Sequence, residues 1–316
     1  NSHYILFFLA LIVSTAIAEP TLVQPPAVEA ITDFFASALT FNNDGTKMYT
    51  SSMLASGTDD KVYEYDLTIA YNISTATLRT SILVGSYPLP GRSVTGNHGA
   101  MQVVFNNDGT KMFIADHNRT IIEWTLTTPY DIDTASTTFN LGQSFDTGGQ
   151  EKRPTSVAFN NDGTKMYVAG NEKSDARPGE VNEYTLDTPF VITSGVTHIN
   201  TEDLNSDHSY IDGIVFNYDG TKMYTTDSTD NVINQYKLTT AFDTSTLSLE
   251  GTLDLSNYSG LGNARETAFS SDGSKMFVVD AAEVVFEFNL SCNWSVIDGA
   301  CDLSLIHISE PTRRPI

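Results

Sequence analysis

The side chains with the chemistry to hold an ion or a polar ligand are His98, Arg153, His208, Tyr210, Asp212, Arg265 and Glu266, with the aspartates Asp116, Asp227 and Asp280. The oxygens of Asp116, Asp227 and Asp280 suit Ca²⁺ or a sugar hydroxyl. The same three can instead close loops by accepting backbone N–H groups. His98 and His208 are candidate metal ligands or plain loop histidines. Asp212 with Arg265 and Glu266 reads as an internal ion pair or as a binding cluster. No Ser-His-Asp set, paired-carboxylate motif or Gly-rich phosphate loop can be recognised from spacing.

The elements that position these residues come from a phrase that occurs five times. It reads Phe41-Asn-Asn-Asp-Gly-Thr-Lys-Met-Tyr49, Phe105-Asn-Asn-Asp-Gly-Thr-Lys-Met-Phe113 and Phe159-Asn-Asn-Asp-Gly-Thr-Lys-Met-Tyr167. It returns as Phe216-Asn-Tyr-Asp-Gly-Thr-Lys-Met-Tyr224 and Phe269-Ser-Ser-Asp-Gly-Ser-Lys-Met-Phe277. Asp-Gly between two apolar runs predicts a hairpin, because Gly accepts the positive φ of a tight turn. A second phrase alternates with period two and predicts a third strand: Glu64-Tyr-Asp-Leu67, Glu123-Trp-Thr-Leu126, Glu183-Tyr-Thr-Leu186, Gln235-Tyr-Lys-Leu238 and Glu287-Phe-Asn-Leu290. Turn signals such as Thr127-Thr-Pro-Tyr-Asp131 end it. Weaker fourth strands follow at 78–84, 138–141, 196–199 and 247–253.

Four antiparallel strands per unit, repeated at this length, predict an all-β protein: a β-propeller with five repeats visible and a parent of possible six or seven. Stacked blades would bury the repeated Phe, Met and Tyr between neighbours. The repeated Lys and the third-strand Glu are expected to face each other as scaffold pairs. The chemistry-bearing residues then fall on the face made by the loops between blades and the loops between second and third strands. Asp116, Asp227 and Asp280 share one repeat position there, at which blades one and three carry Ser52 and Gly170.

The phrase Phe-x-x-Asp-Gly-Thr-Lys-Met-Tyr, followed by Glu-Tyr-x-Leu-Thr-Thr-Pro-Phe, resembles secreted propeller repeats of environmental bacteria over residues 31–301. It is more distantly similar to the Tyr-Val-Thr-Asn, lactonase-like and WD40-like propellers. The Gly-His and Trp-Asp signatures of WD40 repeats are absent, as is the Ser-x-Asp-x-Gly-x-Thr-Trp box of sialidase-like propellers. Lactonase-like kinship would imply a divalent metal in the central channel. The ligands of such a metal have no position-by-position match here.

Residues 1–18 read as a signal peptide lacking its start: an uncharged apolar run from Tyr4 to Val13, then Ala16-Ile-Ala18 before Glu19. Residues 19–30 read as a linker and 31–302 as the propeller. Residues 303–316 read as a non-native tail resembling a translated sequencing adapter. Residues 28–34 are expected to supply the missing outer strand of the last blade. Cys292 and Cys301, the two cysteines, are expected to pair. Asn72, Asn118, Asn257, Asn289 and Asn293 open glycosylation triplets. A net charge of −22 argues against nucleic acid and anionic lipid as partners.

The expectation is a secreted protein, extracellular or periplasmic, without a membrane span and monomeric. It would act as a binding module for a protein or carbohydrate ligand with no evident catalysis. Ca²⁺ is the one cofactor considered. The alternative is a metal-dependent lactonase-like hydrolase at the channel mouth. Three or more converging carboxylate, Asn or His ligands in the channel would favour the enzyme. A channel lined by Met101, Gln102, Thr155 and Ser156 without convergence would favour binding.

Overall fold

The repeated glycines take the left-handed backbone that the hairpin demands, with φ of +71° at Gly45 and +69° at Gly109. A second constraint acts at the same place. An aromatic residue of the following turn lies flat on each glycine, so that a Cβ on Gly109 would come 2.2 Å from the Tyr130 ring. These aromatics (Tyr71, Tyr130, Phe190, Phe242 and Trp294) are themselves at positive φ. A strained backbone in every blade needs compensation. Each aromatic N–H donates to the carbonyl of the glycine it covers, as Tyr130 does to Gly109 at 2.8 Å.

The structure, a computed structural model, describes residues 19–23, 36–52, 60–84, 99–135, 143–172, 177–282 and 284–297. Strand β1, Thr21–Leu22, comes first but belongs to the last sheet. Blade one is β2 to β5: Ala36–Phe41, Lys47–Ser52, Lys61–Leu67 and Ala76–Leu83. Blade two is β6 to β9: Ala100–Phe105, Lys111–Asp116, Thr120–Thr125 and Ser144–Asp146. Blade three is β10 to β13: Pro154–Phe159, Lys165–Glu172, Arg177–Leu186 and Val196–Asp203. Blade four is β14 to β17: Gly213–Phe216, Lys222–Asp227, Val232–Leu238 and Leu247–Asp254. Blade five is β18 to β20, Ala264–Phe269, Lys275–Asp280 and Val285–Asn289, completed by β1. All pairings are antiparallel. The fold is therefore a five-bladed β-propeller.

Adjacent residues of each second strand point to opposite faces and so enter different seams. Tyr49 packs with Met112, Ile114 and Trp124 of blade two. Met48 packs with Phe277, Val279 and Val285 of blade five. The other seams repeat this around Met166, Met223 and Met276. Five such seams, including the one from blade five back to blade one, close the ring.

Buried charge reinforces each seam. Lys165 pairs with Glu183 across β11 and β12, as the repeat led one to expect. Both partners also reach blade four: Lys165 Nζ donates to Phe242 O at 2.8 Å, and Glu183 Oε2 accepts from Thr244 N–H at 2.9 Å. The same clasp joins blade five to blade one, where Lys275 Nζ donates to Tyr71 O at 2.9 Å and Glu287 Oε2 accepts from Ile73 N–H at 3.3 Å. In blade four Gln235 stands for Glu and accepts from Val296 N–H at 2.9 Å.

Three expectations about elements need correction or placement. The closing strand is Thr21–Leu22, within the segment read as linker, paired with Phe288 and Asn289; residues 28–34 lie outside the described residues. Blade two's outer strand is Ser144–Asp146; residues 138–141 also lie outside them. Strands this short carry too few side chains for a period-two pattern. Cys292 is disulfide-bonded, and Cys301 lies outside the described residues, as do 1–18 and 303–316. Among the described residues no helix is long and apolar enough to cross a membrane.

Candidate functional site at the loop-face channel mouth

The three aspartates at the ends of β7, β15 and β19 do not converge. Each ties its own blade together. Asp227 Oδ2 accepts from the N–H groups of Ser209 and Tyr210 at 2.8 and 2.9 Å, and its Oδ1 accepts from Thr229 and Asp230 at 2.8 and 2.9 Å. Burial pushes this carboxyl up, but donors from His208, Asp230, Tyr210 and Ser209 outweigh it and hold it below its ordinary value. Asp280 accepts from Gly262 and Asn263 at 2.9 and 2.7 Å and from Ala282 at 2.7 Å. Asp116 accepts from Asn118 at 2.9 Å. Among the described residues no group of three or more His, Cys, Asp or Glu could hold a metal ion.

Blade three lacks an aspartate at this position and solves the problem differently. Glu151 lies over Gly170, where a Cβ would come 2.4 Å from its Cδ. Its Oε1 accepts from Arg153 N–H at 2.7 Å, the bond that Tyr210 N–H makes to Asp227 in blade four. Burial with fewer donors pushes the Glu151 carboxyl up to about 7. Sequence reading missed Glu151. The signal was present as Gly170, the one glycine at a position where three blades carry Asp.

His208 belongs to the interior of blade four. Its Nε2 lies 3.0 Å from Tyr236 Oη, 2.7 Å from Thr225 Oγ1 and 3.3 Å from Asn234 Nδ2. His98 lies outside the described residues.

The remaining candidates do gather. Arg153, Tyr210, Asp212 and Arg265 come from three consecutive blades. Burial and the nearby Asp212 push the Tyr210 phenol up to about 12, while Arg265 and Arg153 oppose the rise. Arg265 Nη1 donates to Asp212 Oδ1 at 3.0 Å, and Ser228 N–H donates to Asp212 Oδ2 at 2.9 Å. Asp212 is 4% exposed, and burial raises it to about 6 despite Arg265. Arg153 is exposed, and its guanidinium has no ion-pair partner among the described residues.

Glu266 lies one residue deeper. Its carboxyl fills the space over Gly213, where a Cβ would meet Oε1 at 2.6 Å. Full burial, with the Asp212 charge adding to it, drives this acid well above its ordinary value. Among the described residues no partner lies within hydrogen-bond distance of Oε2, and Gln102 is the neighbouring side chain that tempers the rise. Glu266 shares a repeat position with Ala38, Gln102, Ser156 and Gly213. Ser156 Oγ donates to Gln102 Oε1 at 2.7 Å and accepts from Ile214 N–H at 2.8 Å. This polar layer plugs the channel. Met101 packs into an apolar seam instead, and Thr155 Oγ1 donates to Ile211 O at 2.7 Å.

The arrangement defines a five-bladed propeller with a polar, partly cationic mouth above a plug that holds the buried Glu266. No family model matches the chain, and no curated protein matches it. Two solved structures are similar in part. A functionally unknown protein from Desulfotomaculum acetoxidans is 16% identical with a TM-score of 0.45. The match covers 78% of this chain and 65% of that one, just under two thirds of its length. A candidate 6-phosphogluconolactonase from Bacteroides fragilis is 14% identical with a TM-score of 0.50, over 80% of this chain and 79% of that one. At such identity the likeness shows the fold alone.

Proposed function

We propose that this chain is an exported propeller that binds a ligand at the loop-face mouth without transforming it. The ligand is a glycan or protein group bearing a carboxylate. The reading rests on one observation: residues that depart from the repeat in three consecutive blades meet around Tyr210. Arg153 offers an exposed guanidinium there, suited to a planar acid. The apolar run at 4–13 and the Ala16-Ile-Ala18 step support export. Calorimetric titration with digalacturonate tests the site. Binding should weaken about tenfold in Arg153→Ala, the loss of one charge-assisted contact, and should fall as salt rises. No binding, or binding indifferent to Arg153, would refute it.

One observation favours the hydrolase alternative. Asp212 at about 6 and Glu266 well above its ordinary value are neighbouring acids in different environments, a pattern of acid–base sites. Lactone hydrolysis abolished in both Asp212→Asn and Glu266→Gln would establish that reading. Without turnover by the wild type it fails.

A further inference from the structure

The opposite end of the channel holds a cavity of about 670 Å³ that opens between the repeated Asp-Gly turns. That volume falls in the ~300–1,000 Å³ range of small-molecule sites. Not one of its lining residues is charged, although the chain carries a net charge of −22. The walls are Thr40, Val104, Ala158, Val215 and Ala268, and Gln102 of the plug also lines the cavity.

Three consecutive blades line the rim with linked amides. Asn43 Nδ2 donates to Asn107 O at 2.6 Å, Asn107 Nδ2 to Asn161 O, and Asn161 Nδ2 to Tyr218 O. Only nitrogen can donate to those carbonyls, so each amide turns its Oδ1 acceptor away from the bond. The next two blades carry Tyr218, 74% exposed, and Ser271 at the same position. Outside the rim stand Asp44, Asp108 and Asp162. Hydrogen bonds from Thr46, Thr110 and Thr164 hold their carboxyls low, so they are ionised at neutral pH.

These features select a ligand chemistry. Anions meet the outer carboxylates and no cation in the lining. A purely apolar guest would make no use of the three rim amides, Asn43, Asn107 and Asn161. A caged ammonium needs open ring faces, yet Phe41 is already packed against Tyr71 and Phe277 at 5.3 and 4.7 Å. Phe105 is packed against Tyr49 and Tyr130 at 4.4 and 5.4 Å in the same way. A neutral saccharide end has hydroxyl donors around its perimeter and an apolar ring face. We propose that this cavity is a second binding site, for an uncharged saccharide, with Tyr218 as the aromatic platform at its lip.

Calorimetric titration with maltose, cellobiose, N,N′-diacetylchitobiose and mannobiose tests it, with the fluorescence of Trp294, a lining residue, locating the event. At least one sugar should bind with a Kd below about 10 mM, an affinity within reach of one weak site. Val104→Trp, which fills the cavity, should abolish that binding. Tyr218→Ala, a change at an exposed side chain, should weaken it about fivefold without altering stability. Arg153→Ala should leave it unchanged, which separates this site from the loop-face mouth. The proposal is overturned if none of the sugars binds, if binding ignores both Val104→Trp and Tyr218→Ala, or if tetramethylammonium or digalacturonate is what binds in the cavity.

Discussion

The two ends of the channel are made of different kinds of residue. The turn-face end is built from positions that the blades largely repeat: the aromatic lids on glycine in all five, the Lys–Glu clasps in four with Gln235 in blade four, and the rim asparagines in three. The loop-face end is built from positions where the blades disagree, such as Ser37, Met101, Thr155, Asp212 and Arg265 at one level of the first strand. The difference teaches that repetition preserves the common core of the seams, while individuality gathers toward the loop face, where Thr155 and Arg265 make links of their own to the neighbouring blade. Even the loop caps follow this rule: blades four and five use Asp227 and Asp280, while blade three borrows Glu151 for the same backbone donors.

The sharpest way to break the comparison is to remove a clasp. Glu183→Ala strips Lys165 and Thr244 N–H of a buried partner. It should cost about 3–5 kcal/mol in urea unfolding, the usual penalty for orphaning a buried ion. A change below about 1 kcal/mol would show that the clasps are decoration.

Glu151 gives the next effect, and it depends on pH. Its folded-state value of about 7 lies above its unfolded value, so folding favours the protonated form. Its contribution is fully present below the unfolded value and is lost as pH rises through about 7. Glu180, Lys152, Arg153, Tyr184 and Tyr210 are charged or titratable groups around it. Glu151→Gln should therefore match the wild type near pH 4 and exceed it by about 2–3 kcal/mol at pH 8.5. Parallel pH profiles for the two proteins would contradict the borrowed-cap reading.

Gly213→Ala comes third. The new Cβ has no room beside Glu266 Oε1, so the plug must shift, at about 1–3 kcal/mol. The same substitution at Gly149, where a Cβ would meet nothing within 4 Å, should be near neutral. The comparison weakens if both glycines respond alike in thermal melts.

Much of this architecture was legible in the chain because it is local. Asp-Gly beside Lys-Met-Tyr specifies a hairpin within nine residues, and Glu-Tyr-Thr-Leu specifies the strand that pairs with it. The ring closure was not legible to the residue. Thr21 and Leu22 pair with Asn289 and Phe288 through backbone groups, so no side-chain pattern announces them. At the site, Arg153, Tyr210, Asp212 and Arg265 stood out as departures from the repeat, and the fold gathers them. His208 stood out equally, but it is spent on Tyr236 and Thr225 inside blade four. A departure from the repeat can mend a blade as well as bind a ligand, and only the partners tell the two apart.

The smallest structural effect carries the most weight for function. Arg153 is exposed, and Arg153→Ala should change the unfolding free energy from urea titration by no more than about 0.5 kcal/mol. The decisive measurement is the affinity of this variant for digalacturonate at fixed salt, beside the wild type. A loss of about tenfold with stability unchanged is what a mouth built from non-repeated residues requires. Equal affinities in the two proteins would place binding elsewhere and contradict the division between seam and mouth.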